Sequence, residues 1–156
     1  MEALINVSAT ISCVENSQLA IEHIYGVLSP LNREYPNFKY WFFNTVVPGL
    51  SNGTRKIFVA MVSDKIAGIL ILKDSHEKKI CTLRVLPEYR RMGIGRQLME
   101  QAVQTLKTNR PLITVSDEHL DEFNPLFAEF GFSATAAYIN CYRQGSTEYA
   151  YNGYLF

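Results

Sequence analysis

Leu83-Arg84-Val85-Leu86-Pro87-Glu88-Tyr89-Arg90-Arg91-Met92-Gly93-Ile94-Gly95-Arg96 is the stretch on which the reading of this chain turns. Leu83 to Val85 reads as the end of a strand, Pro87 as a turn, and Gly93 onward as the opening of a helix. The loop between them is basic: four arginines, Arg84, Arg90, Arg91 and Arg96, stand against one acid, Glu88. The first backbone N–H groups of a helix have no intrahelical acceptor, and the macrodipole adds partial positive charge there. Glycines at 93 and 95 remove side chains that would block an anion, and arginine supplies forked donors suited to phosphate oxygens. The Walker pattern needs a Gly-Lys-Ser/Thr ending, which is missing. The dinucleotide fingerprint needs a third spaced glycine and an early βαβ unit, and neither is present.

Upstream of this stretch, Ile57 to Val62, Ile66 to Leu72 and Ile80 to Val85 read as three consecutive antiparallel strands joined by Ser63-Asp64-Lys65 and Asp74-Ser75-His76-Glu77. Before them, Leu4 to Ile11 reads as a first strand. Asn16 or Ser17 caps a helix with Ile21, Ile24, Tyr25 and Leu28 on one face, ended by Pro30. An aromatic segment, Phe38 to Phe43, is expected to stop before Pro48-Gly49. Downstream, Ile94, Leu98, Ala102 and Leu106 give the helix from Gly93 its apolar stripe. Leu112 to Val115 reads as a strand. Leu120, Phe123, Phe127 and Phe130 share a face of an acidic helix, which Asn124-Pro125 either breaks or restarts and Gly131 stops. Phe132 to Arg143 and Glu148 to Phe156 read as two closing strands. The order β, α, α, β, β, β, α, β, α, β, β implies a mixed α/β sheet with helices on its faces.

The composition fits that picture. The chain has 156 residues, 47% hydrophobic and 19% charged, the range of a folded globular protein and not of a disordered one. One domain, 1–156, is expected. Fifteen basic residues balance fifteen acidic ones, so no global charge recruits nucleic acid or an anionic membrane. No apolar run is long enough to span a bilayer, and the start of the chain lacks a basic signal region, so a cytoplasmic protein is expected. Cys13, Cys81 and Cys141 fit neither a disulfide framework nor a zinc site, so no metal is expected.

The pattern Arg90-x-x-Gly93-x-Gly95, after a strand ending at Val85, resembles the acetyl-CoA loop of the GCN5-related N-acetyltransferases (the GNAT superfamily). The element order resembles that family over nearly the whole chain, as does Glu129-Phe130-Gly131-Phe132 at the end of its last helix. The resemblance implies a mixed, mostly antiparallel sheet of about seven strands with helices on both faces. Its parallel fourth and fifth strands splay apart to admit the pantetheine arm of acetyl-CoA. It implies that the Val85 backbone bonds the pantetheine and that the Leu83 N–H polarises the thioester carbonyl. The pyrophosphate would rest on backbone N–H groups of Arg91, Met92, Gly93, Ile94, Gly95 and Arg96, with Arg90, Arg91 and Arg96 as side-chain partners. It further implies direct transfer of the acetyl group to an amine, either a small molecule or a protein.

One position departs from the family. Phe127 stands against the donor where many members carry a tyrosine that protonates the leaving thiolate, and phenylalanine has no proton to give. An acetyl-CoA-binding module with little or no activity is therefore the alternative to an enzyme. Other candidates for proton transfer are Glu118 and His119, just after the fifth strand, and Tyr138 and Tyr142 on the sixth. Their plainer roles are a solvated helix start and strand packing. Cys81 alternates in phase with Leu83, and is most simply a small buried hydrophobe. Ser116 bonds cofactor or substrate, or caps the helix that follows; the cap is the simpler role. Five acids between Asp117 and Glu129 suggest a negative rim attractive to cationic amines. Tyr40 to Phe43 is expected to wall the acceptor cleft or pack on the sheet. The set Tyr149, Tyr151, Tyr154 and Phe156 is expected to cover an edge or make a homodimer contact.

Overall fold

The computed structural model describes residues 8–156. The chain runs through β1 (Thr10–Cys13), α1 (Gln18–Leu28), a 3₁₀ turn (Ser29–Arg33), α2 (Phe38–Trp41), a π turn (Phe42–Val46) and α3 (Val47–Asn52). It continues with β2 (Arg55–Val62), β3 (Lys65–Asp74), β4 (Lys78–Val85), α4 (Ile94–Leu106), β5 (Leu112–Ser116), α5 (Leu120–Glu129), β6 (Ala134–Ile139) and β7 (Thr147–Tyr151). The seven strands form one sheet in the order β1-β2-β3-β4-β5-β7-β6. All neighbours are antiparallel except β4 and β5, which are parallel.

Period-2 alternation in the central strands sends apolar side chains to both faces, and each face acquires its own helices. Phe58, Leu70, Leu72, Ile80 and Ile113 pack under α4 and α5, against Leu98, Met99, Ala102 and Phe127. Ile57, Val59, Ile69 and Ile71 pack on the other face against Ile21, Ile24 and Leu28 of α1 and against Phe38, Phe42 and Val46. Ser17 caps α1, its Oγ accepting from the Ala20 N–H at 3.2 Å.

The departures from expectation have local causes. The first strand was expected over 4–11; residues 1–7 lie outside the described region, and the described strand runs Thr10–Cys13. The aromatic helix does not stop before Pro48. Its turn widens over Phe42–Val46, where the Val47 N–H bonds the Phe42 carbonyl, and the chain runs on without a break into α3, with Pro48 just past the wide turn. Pro125 neither breaks nor restarts α5. It sits on the exposed side, so the carbonyl it orphans at Asp121 faces water. The last strand ends at Tyr151 instead of Phe156, because Asn152 turns left-handed (φ 67°) and bonds the Pro111 carbonyl at 2.9 Å. That strand also inserts between β5 and β6. The closing aromatics therefore do not cover an edge as a set: Tyr151 is buried against Phe127, with ring centroids 4.4 Å apart, while Tyr154 and Phe156 are exposed. No helix among the described residues is long and apolar enough to cross a membrane.

The feature that positions the site is a failure of pairing. β4 and β5 are in register only at Lys79↔Leu112 and Ile80↔Ile113. Beyond that point β4 stays with β3 through Val85, while β5 follows β7 from Ile113 to Ser116. A gap opens between two parallel neighbours in the middle of the sheet, and α5 and the turn before α4 stand beside it.

The core beside the gap should be sensitive to volume. Phe127 is 2% exposed and meets the rings of Phe123, Phe132 and Tyr151. Phe127→Ala should cost about 3–5 kcal/mol in equilibrium denaturation.

Candidate active site

The gap is a cleft of about 360 Å³. One side carries Ile80, Leu83, Ile113 and Val115, apolar side chains continuous with the core under α4 and α5. The other, toward α1–α3, carries polar groups from elements far apart in the chain: Glu34, Tyr35, Arg55, Lys79, Cys81, Thr114, Ser116, His119, Tyr142 and Glu148.

At the mouth of the cleft the chain leaves β4 through a 3₁₀ turn, Pro87–Tyr89, and enters α4. Arg91 (φ 62°) and Gly93 (φ 79°) are both left-handed, so the backbone winds tightly between them. Gly93 is the N-cap of α4 and has no side chain to satisfy the amides that follow. A Cβ on Gly95 would touch only Val85 Cγ2 at 3.7 Å and Leu126 Cδ2 at 3.9 Å, ordinary contact distances. The protein's own packing therefore does not demand glycine at 95, and the bare backbone leaves room for an external anion. The residues present fit a diphosphate at this turn.

The arginines divide. Arg96 pairs with Glu129 at 2.5 Å and Glu100 at 3.7 Å. Arg90 lies across the cleft mouth, its Nε 3.5 Å from the Val85 carbonyl and 3.4 Å from Glu122. Arg91 has no carboxylate partner among the described residues. Arg84 lines the cleft, and its buried Nε has no partner.

The proton-transfer candidates divide as well. His119 lines the cleft, with Nε2 on Glu34 and Nδ1 3.4 Å from Glu122. Glu118 is paired with Arg143. Tyr142 lines the cleft edge-on to Tyr35, its hydroxyl pKa pushed up to about 12, mainly by burial. Tyr138 is not brought to the cleft. β7 separates β6 from β5, and the Tyr138 hydroxyl accepts from the Leu155 N–H at 3.0 Å. Phe127 lies in the core, and Phe123 forms the cleft wall on α5. Cys81 lines the cleft and takes a 3.4 Å bond from Arg55; burial pushes its thiol pKa up. Ser116 does not cap the helix that follows: its Oγ is buried and unpartnered, while Asp117 Oδ1 takes the Glu118 N–H at 3.0 Å. Nor is the acidic segment a free negative rim, since Glu118, Glu122 and Glu129 each pair with arginine.

One group of the cleft was not singled out in the sequence. Glu148 on β7 is only 4% exposed. The Thr114 hydroxyl donates to it at 2.7 Å and the Tyr35 hydroxyl at 3.1 Å. Desolvation raises its pKa against the lowering effects of those two bonds and of Lys79. Its neighbours make the Tyr35 hydroxyl a poorer acid in turn: burial first, then the Glu148 charge, raise its pKa. A lone glutamate in a tyrosine-rich strand carries no sequence signal, because its partner Tyr35 lies 113 residues away.

A mixed seven-stranded sheet whose parallel central pair parts beside a basic glycine turn defines an acetyltransferase type of α/β fold. Residues 44–149 match the family model described as Acetyltransferase (GNAT) domain, and the chain belongs to this family. Among solved structures, a GNAT-family acetyltransferase from Desulfovibrio desulfuricans superposes with a TM-score of 0.72 at 17% identity, covering 92% of this chain and 97% of that one. A Bacillus subtilis acetyltransferase in complex with CoA gives 0.63 at 16% identity, covering 95% and 100%. An aminoglycoside 6'-N-acetyltransferase complexed with coenzyme A gives 0.66 at 13% identity, covering 91% and 94%. No curated protein sequence matches significantly.

The Glu148 shift has a stability consequence of definite sign. A carboxyl whose folded pKa lies above its unfolded value binds more protons when folded, so stability falls as pH rises through that interval. Glu148→Gln should flatten that fall and raise the melting temperature at pH 7 relative to pH 4. An unchanged pH dependence in thermal scans would contradict the placement.

Proposed function

We propose that the chain is a single-domain N-acetyltransferase, moving the acetyl group of acetyl-CoA to a primary amine by direct attack in a ternary complex. The observation that carries this reading is the cleft itself, with a phosphate-ready turn at one end and a buried carboxylate at the other. The turn at 91–96 and the side chain of Arg91 would hold the diphosphate. Arg90 would swing from the Val85 carbonyl, freeing it for the pantetheine amides. The Leu83 N–H would polarise the thioester carbonyl. The three free cysteines suit a reducing, cytoplasmic setting.

On the acceptor side, an alkyl ammonium with a pKa near ~10 must lose a proton before it can attack. Glu148 is suited to receive it: it is desolvated and held by two hydroxyl donors that fix its orientation. A raised pKa brings a carboxylate nearer the range where a general base works well at neutral pH. His119, paired with Glu34 and Glu122 on the same cleft, would carry the proton onward to solvent. Phe127 cannot protonate the leaving thiolate, and the raised Tyr142 pKa makes that hydroxyl a reluctant donor. The thiolate therefore leaves without a strong side-chain acid, which coenzyme A tolerates as a fair leaving group.

Three results would test this reading. Gly95→Ala should leave the fold intact, since its Cβ meets nothing closer than 3.7 Å. Alanine at that position should stabilise the protein by up to about 0.5–1 kcal/mol while weakening acetyl-CoA binding about tenfold in calorimetry. Arg91→Glu should weaken binding further. Glu148→Gln should keep donor affinity but lower kcat about 10²–10⁴-fold and remove the acidic limb of the kcat/KM profile. Donor binding with no acetylation across a broad amine panel, by mass spectrometry, would favour the binding module instead.

A further inference from the structure

On the cleft face toward α1–α3, three cations stand directly opposite one another across three strands. Arg55 on β2 pairs in register with Lys73 on β3, and Lys73 with Lys79 on β4. All three line the cleft, each half-buried. Like charges directly opposite on one sheet face are destabilising. The local acids do little to relieve this. Asp74 is engaged by Lys56 at 2.7 Å and Lys78 at 2.5 Å, and only Lys73 gains a partner, Glu77 at 3.2 Å. Arg55 and Lys79 have no carboxylate within ion-pair distance among the described residues. Arg55 is nevertheless held in place, its guanidinium 5.8 Å from the Trp41 ring centroid and bonded to Cys81 Sγ. Further along β4 on the same cleft, the buried Arg84 Nε is also unpartnered.

These charges are not placed for the donor's diphosphate. Lys79 lies six residues before Val85 along an extended strand, about 20 Å from the turn that opens α4. They line the same cleft as the proposed proton acceptor, and Lys79, the end of the row on β4, acts electrostatically on Glu148. The acceptor side of the cleft thus presents a carboxylate for an ammonium group and, on the same face, a row of cations of which only Lys73 has a carboxylate partner.

We infer that the acceptor is a small amine that also carries an anionic group, a carboxylate or a phosphate, which seats on Arg55, Lys73 and Lys79 while its amine faces Glu148. This deepens the N-acetyltransferase reading and rests on it. It also replaces the purely cationic acceptor that the acidic 117–129 segment suggested, because Glu118, Glu122 and Glu129 of that segment are paired while Arg55 and Lys79 have no carboxylate partner among the described residues. A carboxylate and a phosphate share the chemistry that Arg55 and Lys79 offer, and matched probes separate them.

The test uses the full chain loaded with coenzyme A and three matched pairs: lysine against 1,5-diaminopentane, phenylalanine against phenethylamine, and O-phosphoethanolamine against ethanolamine. Calorimetry should show the anionic member of at least one pair binding at least tenfold more tightly than its counterpart without the anion. The pair that discriminates identifies carboxylate or phosphate. Arg55→Met and Lys79→Met should each reduce that preference at least fivefold. Each should also raise the melting temperature, because each relieves repulsion in the row. Equal or tighter binding of the members without the anion, or a preference unchanged in both variants, overturns the inference. Acetylation, read separately by mass spectrometry with acetyl-CoA, judges the transferase reading. Tight anion-dependent binding without transfer would sink that reading and leave the seat standing; transfer without anion preference would do the reverse.

Discussion

Everything in this molecule that bears on function depends on two parallel strands that stop pairing. β4 and β5 share register at two positions and then part, each keeping its other neighbour. A sheet interior normally satisfies every backbone donor and acceptor, and an unpaired one costs about as much as a lost hydrogen bond. Opening the centre of a sheet is therefore unfavourable, and it persists here because both flanks are firmly fixed. β4 is zipped to β3 over most of its length, and β5 to β7. Beneath the gap, α4 and α5 bury their apolar faces against the strands on either side. The result is a slot with backbone groups along its edge, suited to a ligand that behaves like an extended strand.

The slot joins two electrostatic environments. At its mouth, the left-handed turn at Arg91 and Gly93 aims uncapped helix amides outward, and three arginines surround it. At its far end, Glu148 is shielded from water and held by Thr114 and Tyr35, on the same cleft as the row of Arg55, Lys73 and Lys79. Neither environment is optimal for stability on its own: one leaves amides without partners, the other buries a carboxylate and sets cations face to face. Strain of this kind concentrated in one cleft, in a fold otherwise packed by ordinary rules, is what a binding site looks like physically.

The sequence made one of these ends legible and hid the other. Leu83 to Arg96 could be read because strand, turn, loop and helix start are contiguous, and the glycine spacing has a local backbone meaning. The three-strand meander and the helices at 18–28 and 94–106 were legible for the same reason: their periodicities are local. The π turn before Pro48 was not, since only tertiary packing of Phe42 and Val46 decides whether a helix widens or stops. The insertion of β7 between β5 and β6 was not either, and it is what removed Tyr138 from the cleft and placed Glu148 in it. Glu148 and Thr114 lie on two strands and Tyr35 on the bend before α2, up to 113 residues apart. The cation row was hidden similarly, because strand register alone brings Arg55, Lys73 and Lys79 face to face. Ser116 had the right position for a cap, and it is the N-cap of the 3₁₀ turn at 117–119, but its side chain makes no capping bond and its hydroxyl is unpartnered in the cleft.

The most direct test of the central claim is amide hydrogen exchange on the intact chain with and without acetyl-CoA. If the gap and its turn grip the donor, peptides covering 81–96 should exchange at least tenfold more slowly in its presence, while β1, β2 and β6 stay unchanged. Unaltered exchange over 81–96 at saturating acetyl-CoA would contradict the account.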